Sequence, residues 1–398
     1  MLRLFLLTSF FLSQFVSAAS ISPRTFNALN DIQQEISQQP DTDQVNDLNE
    51  RLTEMTEDLA GNSLGLALAY QTHAQLKTYE QKIDQAQQLL LNALALPNLK
   101  PDTLNQLGSV LAYSYFNQGQ YKQAIDQLKR IVENAEKPSA SMYALLAASY
   151  YSLEDLPSGF PYIEKACLLS ETPKEGWLQM AFAGSYQTKQ YEKAVKYVNQ
   201  LVFNFPDKKD YWQQKAGIHQ ILEDYQLAAV TKELTYKKGF VNKESDFINL
   251  GQLLASQGEA FKVARVLENA LADNVIEPSE KALTLQYQSW LQAKEINRAI
   301  LALSDLYNTY GNAADGYQLL QYYVDAESWA KADELALVLL NQTLTKKQKA
   351  KVYLYQGMVK YRLGDDRAAL RLLGKSSAFE STSSQAKSWM SYIKQMGA

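Results

Sequence analysis

The sequence predicts an all-α protein, a right-handed α-solenoid of about nine helix–turn–helix repeats with capping helices at both ends. Three observations predict this fold: a short phrase that recurs every 33 to 38 residues, apolar positions with helical spacing on both sides of it, and no long strand-like alternation. A chain of 398 residues would ordinarily suggest two or three domains. Repetition along most of its length indicates one continuous array instead.

The recurring phrase has a polar lead-in, usually a bulky residue, and a small residue three places later. Asn117 to Ile125 is a clear copy, and the small residue is Ala in seven of nine copies. A small side chain lets two helices approach closely, so each copy is predicted to join the two helices of one pair. Prolines such as Pro138 and Pro206 mark predicted helix ends. The bulky position falls at Ile83, Tyr121, Leu156, Tyr191, Tyr225, Ala260, Ile296, Trp329 and Asp366.

The sequence is predicted to have four segments. Residues 1–18 are interpreted as a secretory signal peptide, because Arg3 precedes an apolar run too short to span a bilayer and small residues at Ala18 and Ala19 offer a cleavage site. Residues 19–61 are predicted as an N-terminal helical cap, 62–380 as the solenoid, and 381–398 as a C-terminal capping helix. The residue directly after the cleavage site is not Cys, so we expect a periplasmic protein that is not a lipoprotein.

The composition excludes several classes of function. The 39 basic and 43 acidic residues give a net charge of −4, which argues against a nucleic-acid partner. The single Cys excludes an internal disulfide, and with only two His a zinc site is not expected. No later run of about 18 apolar residues occurs, so no transmembrane segment is expected after signal cleavage.

The residue patterns do not indicate an enzyme, and no cofactor is expected. The nucleophile elbow, the His-Glu-x-x-His zinc motif and the phosphate loops are all missing from the sequence. His73 and His219 are interpreted as packed or surface residues, and Cys167 as a small buried apolar residue. The lysine-rich run from Lys346 to Lys351 is interpreted as a solvated helix start rather than a lipid-binding or partner-binding segment.

The repeating pattern resembles the tetratricopeptide repeat (TPR), a helix–turn–helix unit of about 34 residues. The resemblance covers roughly residues 66–380. Phe182, Tyr287 and Leu320 stand where that family has a small residue, and Lys232 where it has an apolar one, so we expect these units to pack irregularly. The matching residues of the clearest unit are Leu111, Ala112, Tyr115, Gly119, Tyr121, Ala124 and Leu128.

The first helices of such a superhelix line its inner groove, where two columns of residues are predicted to face a partner. These columns are aromatic in the first half of the chain and rich in Gln in the middle, and neither holds a charged residue. We therefore predict an extended or Pro-rich protein segment as the ligand, held by stacking and by side-chain amides. The alternative is that the aromatic residues pack between repeats. The candidate site residues are Tyr113, Phe116, Tyr151, Tyr186, Gln220, Gln252, Gln288, Gln321 and Tyr361.

The chain after the signal peptide is also similar to exported TPR proteins associated with the TonB system of Gram-negative bacteria. Four phrases carry this similarity: Ser22 to Leu29, Phe205 to Trp212, Asp315 to Leu319, and Trp329 to Ala332.

This similarity implies a periplasmic scaffold that works with TonB, ExbB and ExbD, which transmit proton energy to outer-membrane iron and siderophore receptors. The Pro-rich periplasmic region of TonB is then a candidate ligand. The alternative is a general cell-envelope adaptor for outer-membrane, pilus or peptidoglycan machinery.

Overall fold

The computed structural model describes residues 21–396, and the predicted signal peptide at 1–18 lies outside this range. Within it, every regular element is an α-helix, and consecutive helices pack on one another as pairs. This confirms the predicted all-α solenoid of TPR-like helix pairs. The chain divides into two compact units at Asp207 and Lys208, and each unit is described by itself.

The first unit contains ten helices within its described residues. Its core consists of buried aliphatic side chains, and Leu29, Leu48 and Leu111 are among those shielded from solvent. Its helices are α1 (Pro23–Ser37), α2 (Thr42–Asp58), α3 (Ser63–Tyr79), α4 (Ile83–Leu94), α5 (Pro101–Asn117), α6 (Tyr121–Asn134), α7 (Ala140–Ser152), α8 (Leu156–Leu168), α9 (Glu175–Gln187) and α10 (Tyr191–Asn204).

The second unit contains eleven helices within its described residues. Phe247 and Trp290 are the largest fully buried side chains of its core. Its helices are α11 (Lys209–Ile221), α12 (Tyr225–Lys237), α13 (Glu244–Ser256), α14 (Ala260–Ala272), α15 (Glu280–Gln292), α16 (Ile296–Tyr310), α17 (Ala313–Asp325), α18 (Trp329–Leu340), α19 (Lys346–Arg362), α20 (Asp366–Ser377) and α21 (Ser383–Met396).

The recurring phrase marks the turn inside each helix pair. All nine bulky positions, from Ile83 to Asp366, are the first residue of a second helix. All nine small residues are buried, as the predicted close helix contact requires. At Gly159 the contact leaves no room for a side chain, because a Cβ atom there would lie 2.6 Å from the ring of Tyr151. The sequence phrase therefore encodes both the turn and the helix contact.

The nine turns share one backbone conformation. The residue two places before each second helix has a positive φ, and the next amide donates to the carbonyl five residues back, as Gln120 N does to Tyr115 O at 2.9 Å. This pattern is a Schellman motif, which satisfies the last carbonyls of the first helix. Gly fills the positive-φ position in only three turns; the nine residues are Gln81, Gly119, Glu154, Lys189, Glu223, Gly258, Lys294, Glu327 and Gly364.

Two departures from the TPR pattern have different outcomes. Leu320 is fully buried and takes part in an ordinary apolar core, although the family has a small residue there. Lys232 lines a small cavity of about 30 Å³ between α11, α12 and α13, together with Trp212 and Asp246. The cavity has room for about one water molecule. Only the second of these positions disturbs the packing.

Candidate functional site

The predicted aromatic residues of the first unit have two different environments. Tyr151 is fixed between repeats, because its hydroxyl donates to the carbonyl of Met180 on α9 at 2.9 Å and its ring lies against Gly159. Burial raises the pKa of this phenol. Tyr186 is 43% exposed and lies edge-on to Tyr191, with 6.0 Å between the ring centres. Tyr186 can therefore reach a partner, whereas Tyr151 holds α7 and α9 together.

The two aromatic candidates on α5 are half-buried. Phe116 packs edge-on against Tyr121, with ring centres 5.4 Å apart, and so covers the start of α6. Tyr113 lies one turn earlier on the same helix. Both expose part of their ring to solvent, so they can contribute apolar contact area to a partner.

The glutamines of the second unit provide the most open part of the candidate site. Gln252 on α13 and Gln288 on α15 are both exposed and line one depression of about 420 Å³. Neither side-chain amide has a hydrogen-bond partner among residues 21–396. The other lining residues are Ile248, Glu280, Lys281, Thr284 and Leu285.

The depression has an apolar floor and a polar rim. Ile248 and Leu285 supply aliphatic surface, while Glu280 and Lys281 supply one charge of each sign at the start of α15. Ile248 and Thr284 lie one helical turn before Gln252 and Gln288, outside the two residue columns predicted from the sequence. A third column taken four residues earlier would have found both residues. This mixture suits a peptide backbone with apolar side chains better than a carboxylate-rich ligand.

The remaining predicted residues of the second unit differ in how freely they can act. Gln220 on α11 is exposed. Gln321 on α17 is half-buried, and its amide donates to the Tyr355 hydroxyl at 3.2 Å. Tyr361 packs edge-on against Tyr392 of α21 with ring centres 5.8 Å apart, so it also fixes the capping helix.

The surroundings of the two histidines and the cysteine are those of structural residues rather than catalytic ones. His73 Nε2 lies 3.1 Å from Asn49 Oδ1, and burial with nearby Lys77 lowers its pKa to about 4. His219 is buried, and burial also lowers its pKa. Burial raises the pKa of Cys167 to about 11. Among the described residues, no group of three or more His, Cys, Asp or Glu is placed to hold a metal ion.

Comparisons with known proteins return TPR structures. YrrB, a TPR protein with an unusual peptide-binding site, is 17% identical over 46% of this chain and 90% of its own, with a TM-score of 0.39. The C-terminal part of a TPR protein from Cytophaga hutchinsonii is 15% identical over 70% of this chain and 97% of its own, with a TM-score of 0.34. A TPR protein from Parabacteroides merdae is 13% identical over 73% of this chain and 98% of its own, with a TM-score of 0.28.

These likenesses are too distant to carry a functional argument, and the fold assignment rests on the helix pairs described above. No protein-family model and no curated protein matches the sequence. Across residues 21–396, none of the helices combines the length and the apolar character that a membrane crossing requires.

Proposed function

We propose that the protein is a periplasmic scaffold for protein–protein interaction. It binds an extended partner segment along the first helix of each of its helix pairs. The observation that carries this proposal is the pair of exposed, unpartnered amides of Gln252 and Gln288 above the apolar floor of one depression. A side-chain amide can accept from a backbone N–H and donate to a backbone carbonyl, so two of them can hold an extended chain without reading its sequence.

The partner that we propose is a component of the TonB system, with the extended periplasmic region of TonB as the segment held. Support comes from the sequence similarity carried by phrases such as Phe205 to Trp212, and from the signal-like N-terminus. A Pro-rich segment suits such a site, because its extended conformation loses little entropy on binding. The second candidate remains a general cell-envelope adaptor for outer-membrane, pilus or peptidoglycan machinery.

The test is affinity capture of the exported protein from envelope extracts of iron-limited cells. We expect TonB, ExbB or ExbD to be recovered, and the double variant Gln252→Ala/Gln288→Ala to recover much less. Loss of about 1 kcal/mol per hydrogen-bonding amide corresponds to roughly a 5-fold loss of affinity each. Gln226→Ala is the matched control, because this glutamine is also exposed but lies on α12. This helix is the second of its pair and is not part of the proposed site.

The outcomes distinguish the two candidate functions. Recovery of pilus, outer-membrane or peptidoglycan proteins in an amide-dependent manner would favour the general adaptor. Equal recovery by the double variant and the wild type would count against partner binding at Gln252 and Gln288.

A further inference from the structure

The two ends of the described chain carry opposite charges. Residues 21–61 contain nine acidic and two basic residues, a net charge of −7. Residues 345–396 contain three acidic and eleven basic residues, a net charge of +8. The net charge of −4 for the whole chain conceals this separation.

Carboxylates follow one face of α2. Their spacings alternate between four and three residues, so they stay on one side of the helix for about 21 Å. This side is opposite Leu48 and Leu52, which are fully buried. Within the described chain, Asp47 is the only one of them with an ion pair, to Arg51 at 3.2 Å. The acidic face consists of Asp43, Asp47, Glu50, Glu54 and Glu57, all of them exposed.

The start of α19, the end of α20 and the start of α21 come together, as the bond from Ser376 Oγ to the Ala350 carbonyl at 2.9 Å shows, and six lysines lie on these three helix ends. Two contacts fix this arrangement: Lys375 Nζ lies 5.3 Å from the ring centre of Tyr353, and Lys351 Nζ donates to Gln385 Oε1 at 3.2 Å. No carboxylate of residues 21–396 lies within 4 Å of any of the six ammonium groups. The lysine edge consists of Lys346, Lys347, Lys349, Lys351, Lys375 and Lys387.

Each patch contains charges that are unfavourable for the helix that carries them. Cations at a helix N-terminus oppose the helix dipole, and the first turn of α19 has Lys346, Lys347 and Lys349 but no acidic residue. Like charges three or four residues apart on α2 repel one another. A partner of opposite charge would relieve both penalties.

We propose that the lysine edge of one copy of this chain binds the acidic face of α2 in a second copy. Apart from the half-buried Lys351, the two patches are exposed. They are opposite in sign and similar in number of charges, and a second copy accounts for both of them. An anionic membrane would engage the lysine edge alone and would repel the acidic face. Because the contact joins two different surfaces, each bound copy keeps one patch free, and association continues into longer assemblies unless a ring closes.

The test is sedimentation velocity of the exported protein over a wide range of protein concentrations. At about 0.02 M salt we expect the mean mass to rise with concentration beyond that of a dimer, and at about 0.5 M salt to return to that of the monomer, because screening shortens the reach of exposed charges. A monomer at all concentrations in low salt would overturn the proposal.

Charge reversal makes the test specific. We expect the triple variant K346E/K347E/K349E and the triple variant E50K/E54K/E57K each to stay monomeric at low salt, and their equimolar mixture to regain association. The control K122E/K137E/K243E changes the net charge equally at exposed lysines outside the lysine edge, and should assemble like the wild type. Circular dichroism checks that all variants keep their helix content.

Two further outcomes would overturn the proposal. One is association that the control weakens as much as the lysine-edge variant does. The other is a monomeric protein that sediments with phosphatidylglycerol vesicles in a manner that depends on Lys346, Lys347 and Lys349, because the lysine edge would then serve a membrane.

Discussion

At the scale of single residues, the turn inside each helix pair is the most repeated feature of the chain. The positive-φ residues of the nine turns occupy the same place, but six of them have side chains, which this conformation disfavours. Glycine relieves that strain but increases the freedom of the unfolded chain. The balance between these two effects can be measured at turn positions where a substitution alters no other contact.

Gly119 and Lys189 offer such a measurement. A Cβ atom on Gly119 would meet nothing within 4 Å, so Gly119→Ala should lower the free energy of local unfolding by about 1 kcal/mol through φ alone. Lys189→Gly should raise it by about 0.5 kcal/mol in its own turn. Hydrogen exchange of the two flanking helices measures both changes, and an unstable Lys189→Gly variant would contradict the strain argument.

The small residue of the phrase determines how closely two helices approach. Ala124 is fully buried on α6, so Ala124→Leu should overpack its contact and cost about 1–3 kcal/mol. The neighbouring exposed position provides the control, and Gln123→Leu should change stability little. Urea denaturation compares the two, and a neutral Ala124→Leu would contradict a close helix contact at this position.

His73 should make the N-terminal helices sensitive to acid. Its surroundings include Asn49, Lys77 and Glu80, and its pKa falls from 6.5 to about 4 on folding. A lowered histidine pKa means that the unfolded chain binds the extra proton first, so stability is lost as the pH falls below about 6.5. We expect α3 to lose about 1–2 kcal/mol of protection between pH 7 and pH 5.

The measurement is hydrogen exchange of α3 at the two pH values, corrected for intrinsic exchange rates. His73→Gln should remove most of the loss, because glutamine does not titrate. An equal loss in the variant would assign the acid sensitivity to other groups.

At the scale of helices, one substitution in α19 should change helix stability and self-association in opposite directions. Lys347 lies in its first turn, where a negative charge is favoured by the helix dipole. Lys347→Glu should therefore stabilise α19 by about 0.3–1 kcal/mol while it weakens self-association. Hydrogen exchange of α19 and sedimentation at low salt test the two effects, and a destabilised helix would contradict the electrostatic explanation. Lys347→Gln provides the neutral control.

The helices were largely predictable because one local phrase specifies each pair. A bulky residue at the start of the second helix and a small residue three places later, as in Tyr121 and Ala124, can be seen without knowledge of any neighbour. The orientation of Tyr151 could not be predicted in the same way. Its ring packs against Gly159, and its hydroxyl donates to the carbonyl of Met180, which belongs to the next repeat.

The candidate site was predictable in part for the same reason. Helical stepping identified Gln252 and Gln288, because both lie at one position of consecutive first helices. It did not reveal that Gln321 donates to Tyr355, since that contact depends on a side chain of another repeat. Which residues remain available to a partner is determined by packing between repeats, and a single column of residue types does not record it.

At the scale of the whole molecule, the sequence predicted one array, and the described chain forms two compact units that divide after Asp207. The repeat phrase continues across this point with the same period, from Tyr191 to Tyr225. The period of the sequence therefore records the repeats and gives no sign of the division.

Our main proposal is that a partner segment is held by the first helix of each helix pair in the second unit. Photo-cross-linking in iron-limited cells tests it most directly, with a photoreactive residue placed at position 252, at position 288 or, as a control, at position 226. We expect adducts with the same envelope protein, a TonB-system component, from positions 252 and 288 and none from position 226. Adducts that form equally from 226, or none from 252 and 288 in cells where affinity capture recovers the partner, would contradict it.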